Sequence, residues 1–283
     1  MNLSTRQKIR IANMLYRSLR FFGVRRHRSK VIDGITYELD LAEGIDLSLF
    51  LFGSFQKHVL PDVVPVDVPV TILDVGANAG VMSLQYARKF PLATIHAFEP
   101  SDYANERFDR NLHVNPGLAS RIHRVKTFVS DTVDVSESYV SYSSWRIDSL
   151  RGERHPVHLG SSHATVDRYL TIDAYCETEG IDDVAFIKID TDGYEYEVLR
   201  GAASTISIQR PAVVFELATY ILEERGIAWP ELIAPLTAHG YVFSDSRTGR
   251  RIDDRLLDVP VPRAGSIDVL ALPPEASAGR RTG

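Results

Sequence analysis

Leu73-Asp74-Val75-Gly76-Ala77-Asn78-Ala79-Gly80 is the stretch that decides the fold: a buried strand over residues 70–75 ends in an acid and turns through two glycines into a helix expected over 79–90. In an open α/β sheet the ligand lies beyond the carboxyl ends of the strands, and a glycine turn there lets backbone amides approach it. The spacing sorts the cofactors. Gly76 and Gly80 are separated by three residues, so the Gly-x-Gly-x-x-Gly cradle for a pyrophosphate is not present. An acid at the strand end suits a cofactor with a cationic amino-acid portion, and S-adenosylmethionine carries an ammonium and a sulfonium. Asp74, Gly76, Asn78 and Gly80 are therefore the expected cofactor turn.

Working outward, the next strand, 94–98, runs into Glu99-Pro100, where a carboxylate 23 positions after Gly76 can accept hydrogen bonds from both ribose hydroxyls. After a third strand at 122–129, Ser130-Asp131 falls at the same sheet edge, where an acid can receive the adenine amino group; taken alone, Asp131 reads as a turn residue. Further strands are expected at 184–189, 212–217, 241–244 and 267–272, with helices at 102–114, 167–179, 194–206 and 229–239. Strands alternating with helices imply a doubly wound, mostly parallel sheet covered on both faces. Upstream, 35–41 reads as a short strand and 46–59 as an apolar segment of helical spacing. The domain plan is an arm at 1–30, an extension at 31–69 packing on the core, a core domain at 70–272 with an inserted hairpin or lid at 136–162, and a disordered tail at 273–283.

The 283 residues, with 44% apolar content and a net charge of −5, are those of a globular protein and exclude collagenous and wholly disordered classes. A single cysteine, Cys176, forms no intrachain disulfide, so a reducing cytoplasm is the expected compartment. No run reaches the roughly 18 apolar residues of a membrane span. Arg17 and Arg20 interrupt what would be the apolar part of a signal peptide, and no secretion signal is expected. Residues 1–30 hold nine Lys or Arg and no acid; with the whole chain at −5, residues 31–283 carry −14. On a helical wheel Arg6, Arg10, Asn13, Arg17 and Arg20 share one face, and Ala12, Leu15, Leu19 and Phe22 the opposite one. Such a helix either packs its apolar face on the body, the preferred reading, or lies on an anionic membrane surface.

These motifs in this order resemble the FkbM-type S-adenosylmethionine-dependent methyltransferases. The resemblance spans residues 35–217 and rests on Asp74 to Gly80, on Phe98-Glu99-Pro100 followed by Asn111 and Asn115, on Ser130-Asp131 and on Ile172-Asp173. Its most specific part is Ile187-Lys188-Ile189-Asp190-Thr191-Asp192-Gly193-Tyr194-Glu195, continuing to Val198-Leu199-Arg200-Gly201-Ala202 and Phe215-Glu216. It implies a class I, Rossmann-like methyltransferase with a seven-stranded sheet, acting on hydroxyls of sugars or polyketide-type products. The family usually has a glutamate where Asp192 stands, an aliphatic residue at Thr191 and a glutamate near Gln56.

Methyl transfer is an in-line displacement at an activated carbon, so alignment of the acceptor dominates, at up to about 7–11 kcal/mol. A positioned base adds about 10²- to 10⁴-fold for a hydroxyl. Asp190, at the end of the fourth core strand, is the first choice and Glu216, ending the next, the second; together they could hold a divalent metal, which is allowed but not favoured. Asp192 and Glu195 read as acids favoured at a helix start. His155, His158 and His163 could reach over the acceptor, and Tyr139, Tyr142 and Trp145 could stack on a sugar, though solvated loop and core-covering roles are commoner. His96, His113, His123 and His239 are given no role. The expected partners are a small-molecule or lipid-linked glycan acceptor, an anionic membrane face through residues 1–30, and a second copy of the chain. Nucleic acid is disfavoured by the acidic body and by the missing Asn/Asp-Pro-Pro-aromatic motif. The alternative is a cofactor-binding, non-catalytic or interaction protein on the same fold.

Overall fold

The computed structural model describes residues 5–60, 62–133, 169–263 and 265–278. The inserted segment at 136–162, with its histidines and aromatics, and His163 lie outside these residues.

Twelve strands are formed among them: β1 (His27–Ile32), β2 (Ile35–Asp40), β3 (Thr71–Val75), β4 (Thr94–Phe98), β5 (Ile122–Val125), β6 (Phe128–Val129), β7 (Tyr169–Leu170), β8 (Val184–Ile189), β9 (Ala212–Leu217), β10 (Val242–Asp245), β11 (Arg251–Ile252) and β12 (Ile267–Leu272). The helices are α1 (Thr5–Phe21), α2 (Gly44–Phe52), α3 (Val81–Lys89), α4 (Asp102–His113), α5 (Pro116–Ala119), α6 (Ile172–Glu179), α7 (Glu195–Arg200), α8 (Ala203–Gln209), α9 (Thr219–Arg225), α10 (Trp229–Leu232), α11 (Ala234–Thr237) and α12 (Pro274–Ala278), with a 3₁₀ turn at Lys57–Val59.

The central sheet runs β11-β10-β12-β9-β8-β3-β4-β5. From β9 to β5 its strands pair in parallel, and β12 enters antiparallel between β9 and β10. The chain order reverses between β3 and β8, and a crevice opens beyond that switch point. Eight strands replace the expected seven because Arg251–Ile252 folds back on β10 across a turn in which Asp245 accepts from the amides of Arg247 and Thr248.

Period-two alternation explains how the sheet is covered. Ile72, Ile95, Ala97, Phe186, Val214 and Leu270 face the layer made by α3 and the β1–β2 hairpin. Leu73, Val75, Ile187, Ile189, Val213, Phe215 and Val269 face α6, α7, α8, α10 and α11. The residues that continue the first set to the edge of the sheet where the parallel strands end are polar: Asp74 stands in register with Lys188, and Asp268 with Glu216. One face of the sheet edge therefore carries a row of charge.

The N-terminal extension is clamped to that face. The β1–β2 hairpin turns at Asp33-Gly34. Its open edge is satisfied by α4 and by Asn115, two residues beyond it, since Asn111 Oδ1 accepts from Glu38 N and Asn115 Oδ1 from Thr36 N, both at 2.9 Å. Asp46 of α2 meets Arg107 of α4 at 2.8 Å, both buried.

Several elements are shorter than the pattern suggests. The third strand breaks into β5 and β6. The helix expected over 194–206 divides where the Asp173 carboxylate accepts from the amides of Ser204 and Thr205 and starts α8 afresh. Pro235, with no N–H to donate, divides 229–239 into α10 and α11. Residues 27–30 of the expected arm belong to β1. Within the expected tail, Pro274–Ala278 forms α12, and Glu275 pairs with Arg210 at 3.3 Å. On α1 the inward face is Ala12, Leu15, Tyr16 and Leu19; Phe22, expected among them, is 80% exposed because the helix stops one residue earlier.

Candidate active site at the sheet switch point

Two cavities meet beyond β3 and β8. A narrow crevice lies among Gly76, Asn78, Glu99, Pro100 and the Thr127–Val129 segment. A larger cavity, about 510 Å³, is enclosed by α1 and α2, by Phe55 and Gln56, and by Lys188 and Glu216 at its polar end. Gly76, Asn78, Asp190 and Asp192 border both. The larger volume is in the range of small-molecule sites.

The crevice is built by the motif loop. Gly76 has φ +77°, and a Cβ there would stand 1.8 Å from the Asp190 carbonyl oxygen, so only glycine allows β3 and β8 to come this close. Glu99 is buried and accepts from Asn78 N and Ser101 N, both at 3.0 Å, one on each carboxylate oxygen. Burial raises its pKa, opposed by those amides and by a hydrogen bond from the Ser101 side chain. Of the roughly four acceptor sites of a carboxylate, these three bonds leave one for a further donor.

Four expected cofactor residues are placed elsewhere. Asp74 is fully buried and lines neither cavity; Ser83 Oγ donates to its Oδ2 at 2.5 Å, and Lys188 Nζ stands 3.2 Å from Oδ1. Its charge is spent inside the protein. Gly80 also lines neither cavity: it is the packing glycine against Phe108, whose ring lies 2.0 Å from where a Cβ would be. Ser130 is fully buried, and Asp131 pairs with Arg200 Nε at 3.3 Å, so the crevice wall at that edge is Thr127, Phe128 and Val129 instead.

Asp190 is the junction. Gln56 Nε2 donates to its Oδ2 at 3.3 Å and Lys188 Nζ lies 3.7 Å from the same oxygen. Lys188 also donates to the Gly76 carbonyl at 2.8 Å. Burial alone would pull the lysine down, but Asp74 and Asp190 hold its pKa above the ordinary value. Glu216 accepts from Ser266 Oγ, and its pKa is well raised by burial and by the charges of Asp190, Asp192 and Glu195. Asp192, at φ +54°, is likewise well raised by burial and by Asp190, Glu195 and Glu99. Glu195 accepts from Thr191 N and Oγ1 and so folds the loop before α7. Behind this cluster, His58 Nε2 meets Asp268 Oδ2 at 2.6 Å.

Sequence reasoning missed Lys188, Gln56 and Asp192 as parts of one site. A lysine at an alternating position inside a buried strand was the available signal for the first. Among the described residues no group of three or more His, Cys, Asp and Glu is placed to hold a metal ion.

The strand order and the crevice at its switch point define a class I methyltransferase fold. The family model for the methyltransferase FkbM domain matches residues 74–243, more than half of the chain, and the chain belongs to this family of S-adenosylmethionine-dependent methyltransferases. Methyltransferase 1 of Beauveria bassiana is 28% identical over 153 residues, covering 50% of this chain and 61% of that protein. Methyltransferase sdnD of Sordaria araneosa is 46% identical over 48 residues, 17% of this chain and 18% of its own. The chain thus spans less than two thirds of these relatives. The crystal structure of a methyltransferase FkbM from Methylobacillus flagellatus KT aligns at a TM-score of 0.39 and 19% identity, over 72% of this chain and 43% of that one. Among the described residues no helix is long and apolar enough to cross a membrane.

Proposed function

We propose that this protein is an O-methyltransferase, moving a methyl group from S-adenosylmethionine to a hydroxyl of a sugar, glycan, glycolipid or polyketide-type acceptor. The observation that carries the reading is that Asp190 borders both cavities, so a group in the crevice and a group in the larger cavity would meet at its carboxylate. The crevice fits the donor: Glu99 borders it with acceptor capacity left for a ribose hydroxyl, Gly76 presents bare backbone, and Pro100 with Phe128 offers apolar surface to a base. S-adenosylmethionine supplies a methyl carbon activated by its sulfonium. Asp190 orients the acceptor hydroxyl and receives its proton, while Gln56 and Lys188 fix the carboxylate. Glu216 stands at the same polar end as a second proton acceptor.

Incubation of the protein with methyl-labelled S-adenosylmethionine and a panel of sugars, glycolipids and polyketide alcohols tests this. Label should enter a hydroxyl, and Asp190→Asn, which keeps shape and removes the base, should lower transfer by about 10²- to 10⁴-fold with S-adenosylhomocysteine affinity retained. Unchanged turnover in Asp190→Asn would take the proton-accepting role from this residue.

A further inference from the structure

We propose that the outer face of α1 docks this protein on an anionic lipid surface, with the mouth of the larger cavity turned towards that surface. The docking does not depend on the methyl-transfer reading; only its use for delivering a lipid-borne acceptor does.

The helix has two working sides. Ala12 and Leu15 face inward and line the cavity. Ile11, 40% exposed, and Phe52 of α2, 70% exposed, line the same cavity while facing solvent, so its mouth has an apolar lip. On the outward side Arg10, Met14, Arg17 and Phe21 recur at intervals of four, three and four, a single stripe on a 3.6-residue helix. Met14 is 62% and Phe21 86% exposed, and the rings of Phe21 and Phe22 meet edge to face at 5.5 Å. A merely solvated basic face does not call for this. Cations interleaved with exposed aromatic and thioether side chains match an interfacial helix, whose apolar groups enter the headgroup boundary while its cations meet anionic lipid.

Charge fixes the orientation. Residues 1–30 hold nine cations and no acid, whereas the rest of the chain carries −14 and is repelled by the same surface. Arg26 is neutralised by Asp40 at 2.6 Å. Arg10, Arg17, Arg25 and Arg28 have no acidic partner among the described residues, and Arg25 and Arg28 border a shallow recess beside Phe22. The exposed aromatics, the unneutralised cations and the cavity lip all lie on or beside one helix.

Co-sedimentation of the full chain with vesicles of phosphatidylcholine, with and without phosphatidylglycerol, tests the proposal with no turnover required. Binding to the anionic vesicles at low salt, weakening as salt rises, is the expected result. Arg10→Glu with Arg17→Glu should weaken it at least about 30-fold, and Phe21→Ser with Phe22→Ser should also lower it. All four residues are exposed, so unchanged thermal melts and S-adenosylhomocysteine affinity establish that these variants fold. Parent protein left in the supernatant at low salt overturns the proposal, and a dimer in solution that the Phe21/Phe22 variant abolishes would then assign the face to a second copy. Retention by a short DNA duplex as tight as by vesicles, and indifferent to Phe21 and Phe22, also overturns it.

Discussion

Gly76 and Gly80 sit four residues apart in one motif, yet the structure gives them separate work, and alanine at each position separates the two. At Gly80 a Cβ would lie 2.0 Å from two ring carbons of Phe108, and the backbone is at φ +76°. Left-handed backbone costs a non-glycine residue about 1–2 kcal/mol. Overpacking a closed core adds about 1–3 kcal/mol. Phe108 is fully buried on α4 and has no solvent to swing into, so the Gly80→Ala loss should total about 2–5 kcal/mol, a large part of the roughly 5–15 kcal/mol of a whole domain. Since Gly80 lines neither cavity, the folded fraction should bind S-adenosylhomocysteine like the parent. At Gly76 the obstructing atom is the Asp190 carbonyl oxygen, 1.8 Å from the added Cβ, and yielding would move the junction residue itself. Gly76→Ala should therefore lose cofactor affinity as well as stability. Urea unfolding gives the stabilities, and calorimetric titration below the unfolding range gives the affinities. The reasoning is refuted if Gly80→Ala is as stable as the parent, or if it stays folded and still loses the cofactor.

Other predictions follow from single atoms. Glu99→Gln keeps one acceptor oxygen but turns an NH₂ towards an amide that the carboxylate now satisfies, so melting should show a loss of about 1–3 kcal/mol; calorimetry should show S-adenosylhomocysteine bound about 10- to 150-fold more weakly, and parental affinity would remove Glu99 from the site. Asp192 has a folded pKa well above its unfolded one, so the stability it contributes is complete below the unfolded value, near 4, and is lost as pH rises through the folded value. Asp192→Asn, which tolerates the left-handed backbone, should raise the melting temperature at neutral pH relative to the parent, and the gain should vanish in acid; an equal effect at both pH values would contradict the repulsion among Asp190, Asp192 and Glu195. Lys188→Met strands the buried Asp74 carboxylate and should cost about 3–5 kcal/mol, of which Asp74→Asn in the same chain should return a measurable part in a double-mutant cycle.

Legibility in the sequence followed the range of the interactions involved. Parallel strands β3, β4, β8 and β9 are contiguous apolar runs, so their bounds could be read locally to within a residue. β1 could not: His27–Ile32 is mostly polar and exposed, and its pairing depends on β2, on Asn111 and on Asn115. The Asp33-Gly34 dipeptide was the available local signal for that hairpin. The motif glycines announced a tight strand-to-helix turn, but only the packing of α4 reveals that one serves Phe108. By type and position Asp74 suits a cofactor's ammonium; register places it beside Lys188, a contact that spans more than a hundred residues of chain and leaves no local trace.

The same register separates the two carboxylates expected to share the chemistry. Asp190 has the position, bordering both cavities, and its orientation is held by Gln56 and by a cation at 3.7 Å. Under the proposed function the two carboxylates divide the work: Asp190 has the position to meet the acceptor hydroxyl, and Glu216, whose affinity for a proton is raised by burial and by three neighbouring acids, is the second proton acceptor. Lys188 links the division to the fold. By pairing with Asp74 behind it and Asp190 in front, and by binding the Gly76 carbonyl, it ties the motif loop and the junction carboxylate to one buried charge. A shift of the motif loop is then also a shift of Asp190, so the crevice and the larger cavity cannot be adjusted independently.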